Sequence, residues 1–198
     1  MATPDASEPT TVPLAGWESH FADGEGFRAS DDLELQLLTQ QLPSAAGSRL
    51  LDVGCGLGGY AAGLARWGYD VLAVDWASSA VAAVRDRYQD LVPNLTAQRL
   101  DFTDEQAVGR LGADAFDVVT MRLVYPFFTD KRQLAERVRR LLRPGGAWAV
   151  TTPLAERLSA RRYIALSVGE VGELMSGWDS GAWVDLEPGG LRCIVLRR

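Results

Sequence analysis

Histidine and lysine occur once each in 198 residues, at His20 and Lys131, and cysteine occurs twice, at Cys55 and Cys193. Two cysteines make no disulfide framework, and no Cys/His cluster has zinc spacing. No run approaches the roughly 18 apolar residues that a membrane span needs. The opening "MATPDASEPTTVP" lacks the apolar core of a secretion signal. These absences lead us to expect a cytoplasmic chain with no membrane partner. Cations are outnumbered, 20 Lys and Arg against 26 Asp and Glu. A broad phosphate-neutralising surface is therefore excluded, and nucleic acid is not an expected partner. The cation-rich "KRQLAERVRRLLR" looks like an exception until it is wound into a helix. Leu134, Val138, Leu141 and Leu142 then share one face, and most of the charges form a solvated one.

What is present is a hydrophobic content of 47% on a chain long enough to bury about 70% of its unfolded surface in one domain. Residues 1–13, with three prolines among Thr, Ser, Asp and Glu, hold too little apolar matter to offset ordering entropy and read as a disordered tail. Residues 14–198 read as the domain. A helix capped by Ser30 comes first, with Leu33, Leu37 and Leu38 as its buried stripe. Strands are expected at 49–53, 71–75, 96–100, 116–121 and 147–151. Helices are expected near 60–67, 78–88, 104–111 and 130–142, the last opened by Asp130 with Gln133. Alternating strands and helices with near-continuous apolar strands mean parallel pairing covered on both faces. At the end, Ser167 and Glu170 make a capping-box start, and "AWVDLE" and "LRCIVLRR" are joined by Pro188-Gly189-Gly190. Three residues cannot make a crossover, so these two strands are antiparallel. The fold class is α/β, a Rossmann-like doubly wound sheet with a reversed strand near its end.

The stretch "LLDVGCGLGGYAAGLARWGYDVLAVD" carries the chemistry. Glycines between a strand and a helix let a ligand approach the backbone closely. The spacing is D-x-G-x-G-x-G, whereas the dinucleotide fingerprint is G-x-G-x-x-G. Asp52 opens the loop, where a carboxylate repels a diphosphate but suits a ligand bearing an ammonium group. Asp75 ends the next strand, 23 residues on, in position for ribose hydroxyls. Asp101 ends the third strand, where it either takes the exocyclic amine of a base, with Phe102 over the ring, or caps the next helix, a task that suits Thr103 better.

"LLDVGCGLGG", "LAVDWA", "LDFTD", "FDVVTMRLVY" and "LLRPGGAWAVTTP" resemble the successive motifs of class I S-adenosylmethionine-dependent methyltransferases, in order, over roughly residues 16–198. The resemblance implies a seven-stranded sheet with a reversed last strand. It implies that Gly54, Cys55, Gly56 and Gly58 pass under the methionyl part and ribose, and that Asp75 holds the ribose. Asp101 and Phe102 would then bound the adenine, and Met121 would line the adenosine side. The segment "WESHFADGEGFR" is similar to the entry segment of the thiopurine and tellurite methyltransferase-like branch. Carried over, Trp17, Phe21 and Phe27 wall the cofactor and Arg28 meets its carboxylate. Two positions depart from that branch, Phe21 for Trp or Tyr and Arg28 for His.

Other residues carry paired readings. Trp76 either stacks on adenine or packs on the next helix. Cys55 reads as a small buried filler rather than a nucleophile. His20 is either a general base at the substrate mouth or a structural histidine. Tyr125 is either substrate-facing or part of a packed turn, and Arg122 either pairs with a substrate carboxylate or stays solvated. Methyl transfer from a sulfonium runs largely on positioning and desolvation, so scarcity of histidine is no obstacle. "MRLVYPFF" lacks the N/D-P-P-Y/F tetrapeptide of enzymes that methylate base or glutamine amines, and the link after the fifth strand is short for a substrate lid. With Lys131 the sole lysine, arginine usage associates the chain with a GC-rich bacterial genome. The expectation is a methyltransferase, monomer or homodimer, that uses S-adenosyl-L-methionine, yields S-adenosyl-L-homocysteine and acts on a small-molecule acceptor. The alternatives are a non-methylating member of the fold and, less favoured, an NAD-dependent oxidoreductase.

Overall fold

Apolar runs two residues deep in alternation set the architecture. In the computed structural model, which describes residues 12–186 and 190–198, Leu50 and Leu51 sit on adjacent positions of one strand and both are fully buried. They face opposite layers, because successive strand side chains point to opposite faces. Leu51 joins a core with Val119, Trp148, Leu134 and Val138. Leu50 joins another with Val71, Val118, Leu64 and Leu38.

The strands are β1 (Arg49–Val53), β2 (Asp70–Asp75), β3 (Leu95–Arg99), β4 (Phe116–Arg122), β5 (Leu142–Pro153), β6 (Ser180–Asp185) and β7 (Leu191–Arg197). They form one sheet in the order β3-β2-β1-β4-β5-β7-β6. β1 pairs parallel with β2 and β4, placing Asp52 beside Ala73 on one side and Thr120 on the other. β7 runs antiparallel to both of its neighbours, β5 and β6. The sheet is the expected seven-stranded one, mostly parallel, with the reversed strand inserted between β5 and β6. The tight turn expected at Pro188 and Gly189 falls outside the described residues, as does the expected tail apart from Val12 and Pro13.

The helices are α1 (Leu14–Ala22), α2 (Asp32–Thr39), α3 (Gly59–Arg66), α4 (Ser78–Arg87), α5 (Glu105–Gly109), α6 (Lys131–Leu141) and α7 (Val168–Met175). Several differ from the sequence reading for identifiable reasons. The cap of α2 is Asp31, whose carboxylate accepts from the Glu34 N–H at 2.7 Å, one residue after Ser30. The buried face is accordingly Glu34, Leu35 and Leu38, and Leu33 is exposed. Asp104, not Thr103, caps α5. On α6 the charged face is not wholly solvated. Arg137 is buried, donating to Glu105 at 2.8 Å, the Phe102 carbonyl at 3.1 Å and Gln133 at 2.7 Å. Asp130 caps α6 as expected, accepting from the Gln133 N–H at 2.8 Å, but the Gln133 side chain turns to Arg137 and leaves that box half made, while Ser167 and Glu170 complete theirs on α7.

The "RPGG" turn belongs to β5 itself. A side chain at Gly146 would place its Cβ 2.8 Å from the Arg143 carbonyl oxygen, so only glycine fits where the register with β4 shifts. The link from β5 to α7, residues 154–167, is tied down by a bridge between Leu154 and Leu166. Among the described residues no helix is long and apolar enough to cross a membrane.

Candidate functional site

Parallel strands leave a crevice at their carboxyl ends where the chain reverses its winding direction, and here that point lies between β1 and β4. A cavity of about 380 Å³ opens there. Its floor is the end of β1 and the loop that follows, its sides are the ends of β2, β3 and β4, and its roof is α1 with residues 26–30.

Gly54, Gly56 and Gly58 take φ values of 72°, 50° and 81°, a region that glycine enters freely and other residues rarely do. The loop is also tightly enclosed. A Cβ on Gly54 would lie 2.6 Å from Val124, and one on Gly58 2.6 Å from Val84. Its amides are largely committed to protein acceptors. The N–H groups of Gly54 and Cys55 donate to the Val74 carbonyl and that of Gly58 to Cys55. The N–H of Gly56 donates to the Asp75 carboxylate at 3.0 Å. A loop whose donors are spent in this way is no cradle for phosphate oxygens.

Two carboxylates flank it. Asp52 accepts from the Thr120 hydroxyl at 2.7 Å, and burial raises its pKa from the ordinary range to about 7, against the lowering effects of Thr120 and Arg122. Asp75 accepts from Gly56 and, through its other oxygen, from the Ala77 N–H at 3.0 Å. Burial raises its pKa too, opposed by those hydrogen bonds. Asp101 is exposed and folds back on Thr103, accepting from its N–H at 2.8 Å and its hydroxyl at 2.6 Å.

Of the residues singled out by sequence, Trp17, Arg28, Asp52, Gly54, Cys55 and Gly56 line this cavity. So do Gly58, Asp75, Trp76, Asp101 and Phe102. Three do not. Met121 is fully buried in the core, because strand alternation sends it to the face opposite Thr120 and leaves Arg122 on the cavity side. Tyr125 is buried, packed edge-on against Trp148 with ring centroids 5.6 Å apart, and its pKa is pushed up by burial. The packed-turn reading holds for it, and its neighbours Phe127 and Phe128 reach the cavity instead. His20 stands behind the roof, its ring 5.1 Å from that of Phe27. Cys55 is buried and its thiol pKa is pushed up by desolvation and by Asp75, as suits a filler.

Arg122 follows neither of its expected readings. It makes a buried two-point ion pair with Glu34, at 2.6 and 2.9 Å, and donates to the Arg28 carbonyl at 2.6 Å. An arginine at the end of β4 and a glutamate at an apolar position of α2 were the available signals, but nothing local joins residues 88 apart. Arg87 and Tyr88 also line the cavity and were missed for the same reason.

Residues 51–150 match the model of the methyltransferase domain family, about half of the chain. The chain belongs to that family. The chain is 29% identical over 133 residues to the ubiquinone biosynthesis O-methyltransferase of Acinetobacter baumannii (strain AYE), covering 67% of this chain and 55% of that one. It spans about half the length of the curated relatives it matches. An S-adenosylmethionine-dependent methyltransferase from Aquifex aeolicus superposes with a TM-score of 0.72 at 18% identity, over 91% of this chain and 97% of the other. The [4+2]-cyclase SpnF superposes at 0.70 with 16% identity, over 93% and 92%. Both establish the same fold. The residues that line the cavity fit a ligand that joins an ammonium group, ribose hydroxyls and a base. Carboxylates suit its ammonium and hydroxyl groups, a phosphate cradle is absent from the glycine loop, and aromatic walls suit its base.

Proposed function

We propose that this methyltransferase transfers a methyl group from S-adenosylmethionine to a small-molecule acceptor. The observation that carries the proposal is the pair of buried carboxylates, Asp52 and Asp75, beside a glycine loop with four of its five N–H groups already bonded within the protein. That arrangement selects an adenosyl group joined to a cationic amino acid over a dinucleotide diphosphate. Asp52 takes the ammonium, Asp75 the ribose hydroxyls, and Phe102 with Asp101 and Trp76 the adenine. Arg28 is placed on the same cavity for a carboxylate. The cofactor supplies an activated methyl group when bound, and the protein's contribution is alignment and exclusion of water. The relatives' shared name supports an oxygen acceptor. The position of Trp17, Phe21, Phe27 and Arg28 on the cavity supports the thiopurine and tellurite-like branch; the relatives named above do not. A cytoplasmic monomer or homodimer is the proposed setting.

Isothermal titration with S-adenosylhomocysteine and with NAD tests the cofactor assignment, and binding of NAD alone would overturn it. Formation of S-adenosylhomocysteine across a panel of phenols, thiols and amines tests transfer. A second reading is favoured by the likeness to SpnF, a cyclase by its printed title. It predicts cofactor binding with no S-adenosylhomocysteine formed from any acceptor.

A further inference from the structure

We infer that Arg122 is a positioning residue for the amino-acid end of the cofactor, fastening the roof at Arg28 and Ala29 and standing as a fixed positive charge on the same wall as Asp52. This deepens the cofactor reading of the site and rests on it. Residues 26–30 belong to no helix or strand, so contacts with other elements must hold them over the cavity that they line. Arg122 supplies such contacts from the end of β4. Its Nη1 donates to the Arg28 carbonyl at 2.6 Å and its Nη2 to the Ala29 carbonyl at 3.4 Å. Its Nε and Nη2 grip the two oxygens of Glu34 at 2.6 and 2.9 Å. Glu34 in turn has its N–H bonded to Asp31, the cap of α2. One guanidinium thus holds the chain from 28 to 34 at three points. Both side chains of the pair are buried, where low polarity strengthens such bonds. The backbone so held carries Arg28, the residue placed for the cofactor's carboxylate.

The same side chain belongs to the wall above the floor. β1 and β4 pair with Asp52 opposite Thr120, and Arg122 is the next side chain on that face of β4, about 7 Å further along the strand. Its guanidinium lies 5.6 Å from the centre of the Tyr60 ring. The groups around Asp52 are Thr120 and Arg122 on β4, Asp75 on β2, Cys55 on the loop, Tyr60 on α3 and Arg28 on the roof, with Glu34 paired to Arg122. Arg122 favours the ionised form of Asp52, against burial and the charge of Asp75. An ammonium group needs that ionised form. Both tasks together require arginine, because a lysine ammonium carries the charge but has no rigid fork to span two carbonyls and a carboxylate.

The test is isothermal titration between pH 6 and pH 9 with S-adenosylhomocysteine and with 5′-methylthioadenosine, which keeps the adenosine and lacks the amino acid. Arg122→Lys keeps the charge and loses the fork, so S-adenosylhomocysteine should bind about tenfold weaker, with the pH midpoint of its affinity unchanged. Arg122→Met combined with Glu34→Leu removes the pair without stranding either partner. In that variant S-adenosylhomocysteine should bind more weakly, and the midpoint should move up by roughly one pH unit, because a carboxylate has lost a neighbouring cation. 5′-Methylthioadenosine should bind nearly unchanged in both variants and show no such pH dependence. A purely structural role would weaken both ligands together or neither. Equal weakening of the two ligands, unchanged S-adenosylhomocysteine affinity in Arg122→Lys, or an unchanged midpoint in the double variant would each overturn the inference while leaving the cofactor reading intact. Failure of the wild-type protein to bind S-adenosylhomocysteine would overturn both.

Discussion

Asp52 makes the cavity floor sensitive to pH. Burial holds its pKa near 7 in the folded protein, above the unfolded carboxylate value of about 3.9. The folded state therefore binds this proton more tightly, and the sign follows. This group's contribution favours folding most at acid pH and is lost progressively as pH rises from about 4 to 7. A ligand with an ammonium group prefers the ionised form, so its binding should release a proton below pH 7. S-adenosylhomocysteine affinity should then tighten from pH 6 to pH 8, and Asp52→Asn should flatten the dependence. Titration in two buffers of different ionisation enthalpy measures the proton directly. Asp52 and Asp75 were legible because each ends an apolar run at a strand terminus. Met121 was expected on the cavity and lies in the core, because its place depends on which face of β4 it occupies and a shift of one position reverses it. Tyr125 beside Pro126 offered two readings, and only the packing of Trp148 beneath it decides between them.

The roof over the cavity is held by contacts between elements. Helix α4 has no cap of its own, since Ala77 precedes it. The Glu18 carboxylate on α1 caps it from a distance, accepting from the Ser78 N–H at 2.7 Å and from Ser79 through its N–H at 2.9 Å and its hydroxyl at 2.7 Å. Those same bonds keep the Glu18 pKa below the usual range. Glu18→Ala should cost about 1 kcal/mol, as loss of a cap does, and should lower the melting temperature by roughly 2–4 °C. Limited proteolysis should find α1 cleaved faster in the variant. The Arg122–Glu34 pair is the stronger tie, with both side chains less than 10% exposed. Glu34→Leu strands a buried guanidinium and should cost roughly 3–5 kcal/mol by urea denaturation, and adding Arg122→Met should recover much of it. Local caps such as Ser167 with Glu170 could be read from spacing. Caps and ion pairs that join residues 60 or 88 apart have no such spacing to read.

At the scale of the whole molecule, the order of strands and helices was open to reading because fully buried parallel strands are near-continuous apolar runs. The place of β7 was legible in direction and not in position, because a turn fixes pairing with β6 and says nothing of the partner on the other side. A ligand that binds only the folded protein stabilises it by mass action, about 2.7 kcal/mol at a hundredfold excess over Kd. A thermal scan with S-adenosylhomocysteine should therefore rise by roughly 5–10 °C, and one with NAD should not move. The insertion of β7 also bears on synthesis. β6 leaves the ribosome before β7, yet among the described residues its only partner in the sheet is β7. Until β7 has emerged, the outer side of β5 is an unpaired edge seven positions long, the kind of edge that templates association with other chains. The nascent protein is thus most exposed to misassembly between the emergence of β6 and that of β7, when most of the cavity's walls can already form and neither strand has joined the sheet.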